Sequence, residues 1–374
     1  AGWNNNRMVL ETVLALAVGM GRTLVLPPKQ PVQHLVHKRN GRDRNVFSFD
    51  DFFHLHSLDK EYQGIEIITM EEFLTREGEN LISKKDNKTK APLALQWDGY
   101  NLNLLWDYIR EVAYIPDWKP ESCVVAFAEN NDEQAFQELR NMVNVMWGGF
   151  DGRPKPNPME FQGRPANVRG PAIERLREIL AGRRELCHYG QVMQQEQVIH
   201  LNSYQRKRDT RLLIQHYAFV FFEDWRHDAW TKRLVRDHVR YVDEIMCAAG
   251  RVLESLRKKI GGGPFDSYHV RRNDFGQQFR FSVMPAETIY GTTQHLLSPS
   301  ILPLYIATDE KDKAYFDVMK KTSRDNFERP LYFLDDFVDE IGSDFNPNFL
   351  GMVDQVVAAK GESFIGFFFF PFTG

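Results

Sequence analysis

Ser267-Tyr268-His269-Val270-Arg271-Arg272-Asn273-Asp274-Phe275 begins as a short β-type run and ends in polar residues that a strand interior would not tolerate. An arginine pair leaving a strand end, with a histidine before it and an aspartate after it, is how an α/β protein offers cations to an anionic ligand. In open parallel sheets the ligand crevice lies outside the carboxyl ends of the strands. Arginine suits that place because its planar fork of donors is always charged and matches phosphate geometry. An isolated Arg-Arg-x-Asp is also the pattern of a surface ion pair between Arg272 and Asp274, which is worth little. What separates the two readings is the rest of the chain.

Toward the carboxyl side the pattern is α/β throughout. Leu302 to Ala307 reads as a buried strand ending in Thr308-Asp309-Glu310, and a helix is expected over 311–321. Pro330 to Leu334 is the next strand, 349–359 a helix carrying Asp354-Gln355, and Ser363 to Phe367 a last strand before Phe-Pro-Phe-Thr-Gly. Strands alternating with helices imply a parallel sheet with right-handed crossovers. Toward the amino side, Val235, Val239, Val242, Met246, Ala249, Leu253, Leu256 and Ile260 alternate steps of four and three, which predicts one long helix over 228–260. Gly261 to Gly263 stop it. A second domain, 226–374, is expected to begin near this helix, after a first domain spanning 1–225; at 374 residues two domains are the natural division.

In the first half, Gly2-Trp3-Asn4-Asn5-Asn6-Arg7 reads as a polar loop entering an apolar helix that Gly21 ends. The asparagines and Arg7 then sit at a helix amino terminus, where backbone N–H groups are free for an anion. Asparagine also caps helices, but three in a row followed by arginine exceed what a cap needs. Strands follow over 23–26, 64–68, 93–97, 123–127 and 217–222, with helices from Met70 and over 171–180. Glu77 to Lys90, with the sequon Asn87-Lys88-Thr89, and the Gly/Pro-rich 148–165 read as loops, and His34, His37, His54 and His56 lie in a long connection without a third ligand for zinc.

Composition narrows the class. Hydrophobic residues make up 43% and charged ones 26%, a globular balance, and a net charge of −4 argues against nucleic acid or a membrane surface as partner. No apolar run reaches the roughly 18 residues of a membrane span. Cys123, Cys187 and Cys247 have no metal-ligand spacing; one disulfide with one free thiol and three free thiols are equally compatible with them. Both ends look cut to a domain, so a targeting segment is expected to lie outside this stretch. The chain has no G-x-G-x-x-G, Walker A, Asp-x-Asp or G-x-S-x-G pattern, which argues against dehydrogenases, P-loop NTPases, metal-dependent transferases of the Asp-x-Asp kind and α/β hydrolases.

Gly2-Trp3-Asn4-Asn5-Asn6-Arg7-Met8 with Arg22-Thr23-Leu24-Val25-Leu26-Pro27-Pro28 resembles the amino-terminal motif of the GDP-fucose protein O-fucosyltransferase family. His269 to Phe275 resembles its central H-x-R-R-x-D-F motif, and Ala307-Thr308-Asp309-Glu310, Asp354-Gln355 and Ser363-Phe364-Ile365-Gly366 resemble later ones in order. The resemblance implies an α/β GT-B fold, two Rossmann-like domains facing a central cleft. It implies a glycosyltransferase that moves fucose from GDP-fucose to a Ser/Thr hydroxyl of a protein, inverting, metal-independent and without a cofactor.

Carried over by position, Arg271 and Asn5 would be catalytic. Asn4, Asn6, Arg7, His269, Arg272, Asp274, Asp309, Asp354, Phe372 and Thr373 would bind the GDP-sugar, with Asp354 on guanine. The implied location is the lumen of the endoplasmic reticulum or Golgi. Related readings keep the fold and change the acceptor to a glycan or the sugar to rhamnose. Two departures stand out. Phe370-Pro371 occupies the place of a hydroxyl pair that donates to phosphate, and proline has no N–H to substitute. Ala1 stands where one branch keeps a glutamate base, so no general base is evident. The first departure leaves open a nucleotide-sugar-binding protein with weak catalysis.

Overall fold

The computed structural model describes residues 3–32, 35, 46–55, 58–62, 64–78, 81, 99–146, 166–201, 216–273, 284–321 and 328–366. The expected strand at 93–97, the loop at 148–165 and the Asn87 sequon lie outside the described residues. The chain divides into two compact units, Ala1–Arg240 and Tyr241–Gly374.

The first unit runs α1 (Trp3–Met20), β1 (Leu24–Val25), β2 (Gln30–Pro31), β3 (Val46–Phe47), α2 (Leu58–Glu61), β4 (Ile67–Ile68), α3 (Met70–Glu77) and α4 (Gly99–Val112). It continues through β5 (Cys123–Phe127), α5 (Glu133–Met146), α6 (Ala166–Leu180), β6 (Glu185–His188), α7 (Gln191–Gln195), α8 (His216–Phe219), β7 (Val220–Phe222) and α9 (Trp225–His238). A parallel sheet of order β6-β5-β7 forms its centre, β1 pairs with β4 in parallel, and β2 and β3 form an antiparallel pair. All five residues of β5 are buried, so both of its faces are covered, by Leu16, Phe219 and Phe222 in one cluster and by Phe136, Leu139 and Leu176 in another. Cys123 and Cys187 join β5 to its neighbour β6 through a disulfide with Cα atoms 5.5 Å apart.

The apolar helix begins earlier than its periodicity suggests. Trp3 packs on Phe52 with ring centroids 3.8 Å apart, which anchors α1 at its first residue and puts Asn4 to Arg7 inside the helix rather than in a loop before it. Gly19 on α1 faces the Phe127 ring, and a Cβ there would come within 2.5 Å of it. That ring is buried and stacked on Phe222 at 5.1 Å, so it has no room to yield. Gly19→Ala is therefore expected to cost about 1–3 kcal/mol of first-unit stability, read from urea unfolding.

The second unit runs α10 (Asp243–Lys259), β8 (Asp266–Val270), α11 (Ala286–Thr293), β9 (Leu304–Thr308), β10 (Leu331–Tyr332), α12 (Val338–Ile341), α13 (Leu350–Ala358) and β11 (Phe364–Gly366). Its four strands are parallel in the order β10-β9-β8-β11. In chain order that is 3-2-1-4, the arrangement of doubly wound nucleotide-binding sheets. Tyr268, Leu304, Ile306 and Phe316 fill one side, and α10, whose Ile245, Ala249, Val252 and Leu256 are buried, packs against α13.

Three local expectations fail for physical reasons. The long helix is two helices, broken at Val239–Val242, where Val242 is extended at φ −57°, ψ 156°. The apolar stripe runs through the break because both helices need one, while Asp243 and Glu244 start a new first turn that favours acidic side chains. The boundary expected at 225/226 instead falls at 240/241, since α9 packs on α1 and β7 and so belongs to the first unit. Tyr217 to Phe219 is a helical turn, not strand. The helix expected over 311–321 is present, as the 3-10 helix Lys313–Lys320. Gly261 and Gly262 do end α10; at φ 72° and 85° they supply the left-handed geometry in which the Gly262 N–H closes onto the Arg257 carbonyl at 2.8 Å.

Candidate anion-binding site

The strand order reverses between β8 and β11. At such a switch point the connections leave to opposite sides and open a crevice beyond the carboxyl ends of the strands. His269 pairs in register with Ala307 of β9 and Gly366 of β11, so Arg271 emerges just past this point. The amino-terminal end of β8 is fixed from below: the buried Asp266 accepts from Ser298 Oγ at 2.6 Å and from the Ser363 N–H at 3.2 Å, and Ser267 Oγ donates to the Ala358 carbonyl at 2.7 Å. A rigid strand thus delivers an exposed arginine to the rim. Burial, then the Arg271 charge, holds the half-buried His269 imidazole below the usual histidine value against the opposing pull of Asp309, favouring its neutral form.

Arg272 turns to different partners. Its Nη1 meets Glu310 Oε2 at 2.6 Å, and its guanidinium lies over the Tyr315 ring, 3.7 Å from the centroid. Asp309 accepts the backbone N–H groups of Arg272 at 2.7 Å and Asn273 at 3.1 Å, one on each carboxylate oxygen. The Asn273 side-chain amide donates to the Asp309 carbonyl. His269, Arg271, Arg272 and Asp309 are therefore gathered at the carboxyl ends of β8 and β9. Asp274, Phe372, Thr373 and Phe370-Pro371 lie outside the described residues.

Asp354 projects from α13 against β9. Its Oδ1 accepts from Tyr305 Oη at 2.6 Å, and the Thr308 backbone also hydrogen-bonds it. Burial pushes its carboxyl up to about 7, with Tyr305, Lys313 and Thr308 pulling back and Asp335 adding to the rise. The phenol of Tyr305, fully buried beside that carboxylate, is held well above its ordinary value and so serves as the donor. An ordinary aspartate titrates near 3.8, so between about 4 and 7 the folded state holds a proton that the unfolded chain has released. This group's contribution makes stability fall as pH rises through that window and level off above it. Asp354→Asn is expected to remove that slope from the second unit's urea-unfolding midpoints between pH 5 and 8; a variant with the wild-type slope would locate it elsewhere.

The remaining sequence candidates lie in the first unit, within the first two turns of α1. Asn4, Asn5 and Asn6 are half-buried there, at the end whose N–H groups have no intrahelical acceptor. Arg7 is drawn sideways onto Glu11 at 2.8 Å and lies 5.9 Å from the Phe53 ring centroid. Arg22, from the same sequence motif, plays a structural part. It donates to Tyr189 Oη at 2.8 Å and to the carbonyls of Met193 and Gln194 at 3.1 and 2.9 Å, tying the end of α1 to α7. Sequence reasoning missed Tyr305 and Tyr315. A tyrosine within a buried strand run needs a partner for its hydroxyl, which could have flagged Tyr305; nothing local marks Tyr315 as the surface on which Arg272 rests. Among the described residues no cluster of three His, Cys, Asp or Glu side chains is placed to hold a metal ion, and no helix is long and apolar enough to cross a membrane.

A parallel sheet of nucleotide-binding order, with arginine presented at its switch point, defines an α/β protein suited to a phosphate-bearing ligand. The chain belongs to the GDP-fucose protein O-fucosyltransferase family, whose model matches residues 1–369. It is a glycosyltransferase, and the family's reaction is transfer of fucose from GDP-fucose to protein. No curated protein matches the chain.

Proposed function

We propose that this chain transfers fucose from GDP-fucose to a serine or threonine hydroxyl on a folded secreted domain, inverting the anomeric carbon and using neither metal nor cofactor. The observation that carries this reading is Arg271, delivered by β8 to the switch point of a parallel sheet. Arg271 donates to the β-phosphate and the glycosidic oxygen, and its charge counts most as that oxygen becomes anionic. Neutral His269 orients the diphosphate. Asp354 reads guanine: one carboxylate has about four lone-pair positions, so the Tyr305 and Thr308 bonds leave capacity for the base's two N–H donors. The resemblance of the amino-terminal motif to the family's assigns Asn5, with Asn4, Asn6 and Arg7, a part in handling the donor. With no carboxylate in the place where one branch keeps its base, a loose transition state lets leaving-group stabilisation do most of the work.

A GT-B architecture belongs to the same reading, supported by the family and by the parallel sheet within each unit. So does a place in the lumen of the secretory pathway, which the Cys123–Cys187 disulfide supports because such bonds persist in oxidising compartments. Phe370-Pro371 favours a second reading, a protein that binds the donor and transfers weakly. Radiolabelled GDP-fucose incubated with a panel of folded, disulfide-bonded secreted domains, with and without a chelator, tests the proposal. Transfer that survives chelation and gives the opposite anomer by NMR is expected. GDP binding without transfer to any protein or glycan would favour the second reading, and transfer lost on chelation would end the metal-independent one.

A further inference from the structure

We infer that Arg272, Asp309 and Glu310 form a clamp that aims Arg271, and that Arg272 acts as a positioning residue without touching the donor. The inference rests on the proposed role of Arg271 and goes beyond it. The arginine pair looks like two equivalent cations in sequence, yet consecutive residues of an extended chain point to opposite sides. Arg272 takes the inner side. It is paired with Glu310 at 2.6 Å, with the two side chains 24% and 14% exposed, and its guanidinium plane is covered by Tyr315 at 3.7 Å. Its charge is thereby largely compensated, and one face of its guanidinium is covered.

The other half of the clamp is backbone. The Asp309 carboxylate straddles two successive N–H groups, those of Arg272 and Asn273, immediately after the residue that is to be aimed. Glu310 is itself fixed, its Oε1 accepting from the Asp312 N–H at 2.9 Å and its own N–H donating to Thr308 Oγ1 at 3.0 Å. The segment after β9 therefore holds the segment after β8 by two carboxylates, one on the main chain and one on a side chain. Preorganisation of this kind matters because a cation misplaced by about 1 Å loses much of its effect on a developing charge. Lysine at 272 would keep the charge and lose both the stack and the planar fork.

A double-mutant cycle on GDP affinity, read by calorimetry, tests this without needing an acceptor. Arg271→Ala is expected to weaken GDP about 10- to 100-fold, the range of a lost charge-assisted hydrogen bond. Arg272→Ala, Arg272→Lys and Asp309→Asn are each expected to weaken it about 5- to 20-fold in the parent, and by no more than about twofold once Arg271 is gone. Losses that multiply in the double variants would mean that Arg272 or Asp309 touches the nucleotide directly, and the inference would fall. Amide hydrogen exchange supplies a second readout that does not depend on the ligand. The N–H groups of Arg272 and Asn273 are expected to be protected in the parent and to lose protection selectively in Asp309→Asn while Tyr268 and Val270 keep theirs. Unprotected amides in the parent would also overturn the clamp, whereas a parent that shows that protection but fails to bind GDP would sink the donor assignment alone.

Discussion

Arg271→Ala is expected to slow GDP release from GDP-fucose by about 10²–10³-fold, a loss of about 3–4 kcal/mol of transition-state stabilisation. The size follows from where the charge develops. Before the sugar bond breaks, the diphosphate already carries its negative charge and gains only moderately from one more donor. In the proposed reaction a full charge appears, as the glycosidic oxygen departs, beside a cation whose strand is fixed at one end by Asp266 and Ser267. No reorganisation is then required, which is what makes a preorganised donor effective. The expected signature is a fall in kcat larger than the rise in KM, measured with an acceptor or as donor hydrolysis. A variant that keeps wild-type turnover would remove Arg271 from the chemistry.

Breaking the Cys123–Cys187 disulfide is expected to cost the first unit about 4 kcal/mol, from the chain entropy regained by a loop with a sequence separation of 64. Ordinary domain stabilities are only about 5–15 kcal/mol, so this is a large share. The bond lies between adjacent parallel strands at the centre of the unit, and the loop it closes contains α5 and α6. The second unit holds only Cys247, an exposed free thiol. Urea unfolding with and without reductant should therefore shift the first unit's transition and leave the second's in place. Equal transitions under both conditions would mean that the bond adds nothing to stability.

What can be read from the sequence depends on whether the deciding contact is local. β5 is legible to the residue because it is a short apolar run buried on both faces, and β8 because a short β-type run there gives way to polar residues. The start of α1 is not, because Trp3 is anchored by Phe52 and Phe53, far along the chain. The break at Val239–Val242 is hidden by an apolar stripe that continues across it. Arg271 can be singled out from its place after a strand. The parts played by Arg272 and Asp309 cannot, since a ligand contact is the natural expectation for both, while their hydrogen bonds run to Glu310 and to main-chain N–H groups. Polarity in a sequence shows that a side chain has a partner to find; only the fold shows which one.

The central claim is that the second unit's switch point takes a guanine diphosphate. Calorimetric titration of the whole chain with GDP and with UDP tests it most directly, repeated with Asp354→Ala. GDP is expected to bind at least about tenfold more tightly than UDP, from roughly 1.4 kcal/mol of base recognition, and that preference is expected to vanish in the variant. Equal or tighter binding of UDP, or no binding of GDP at all, would contradict it.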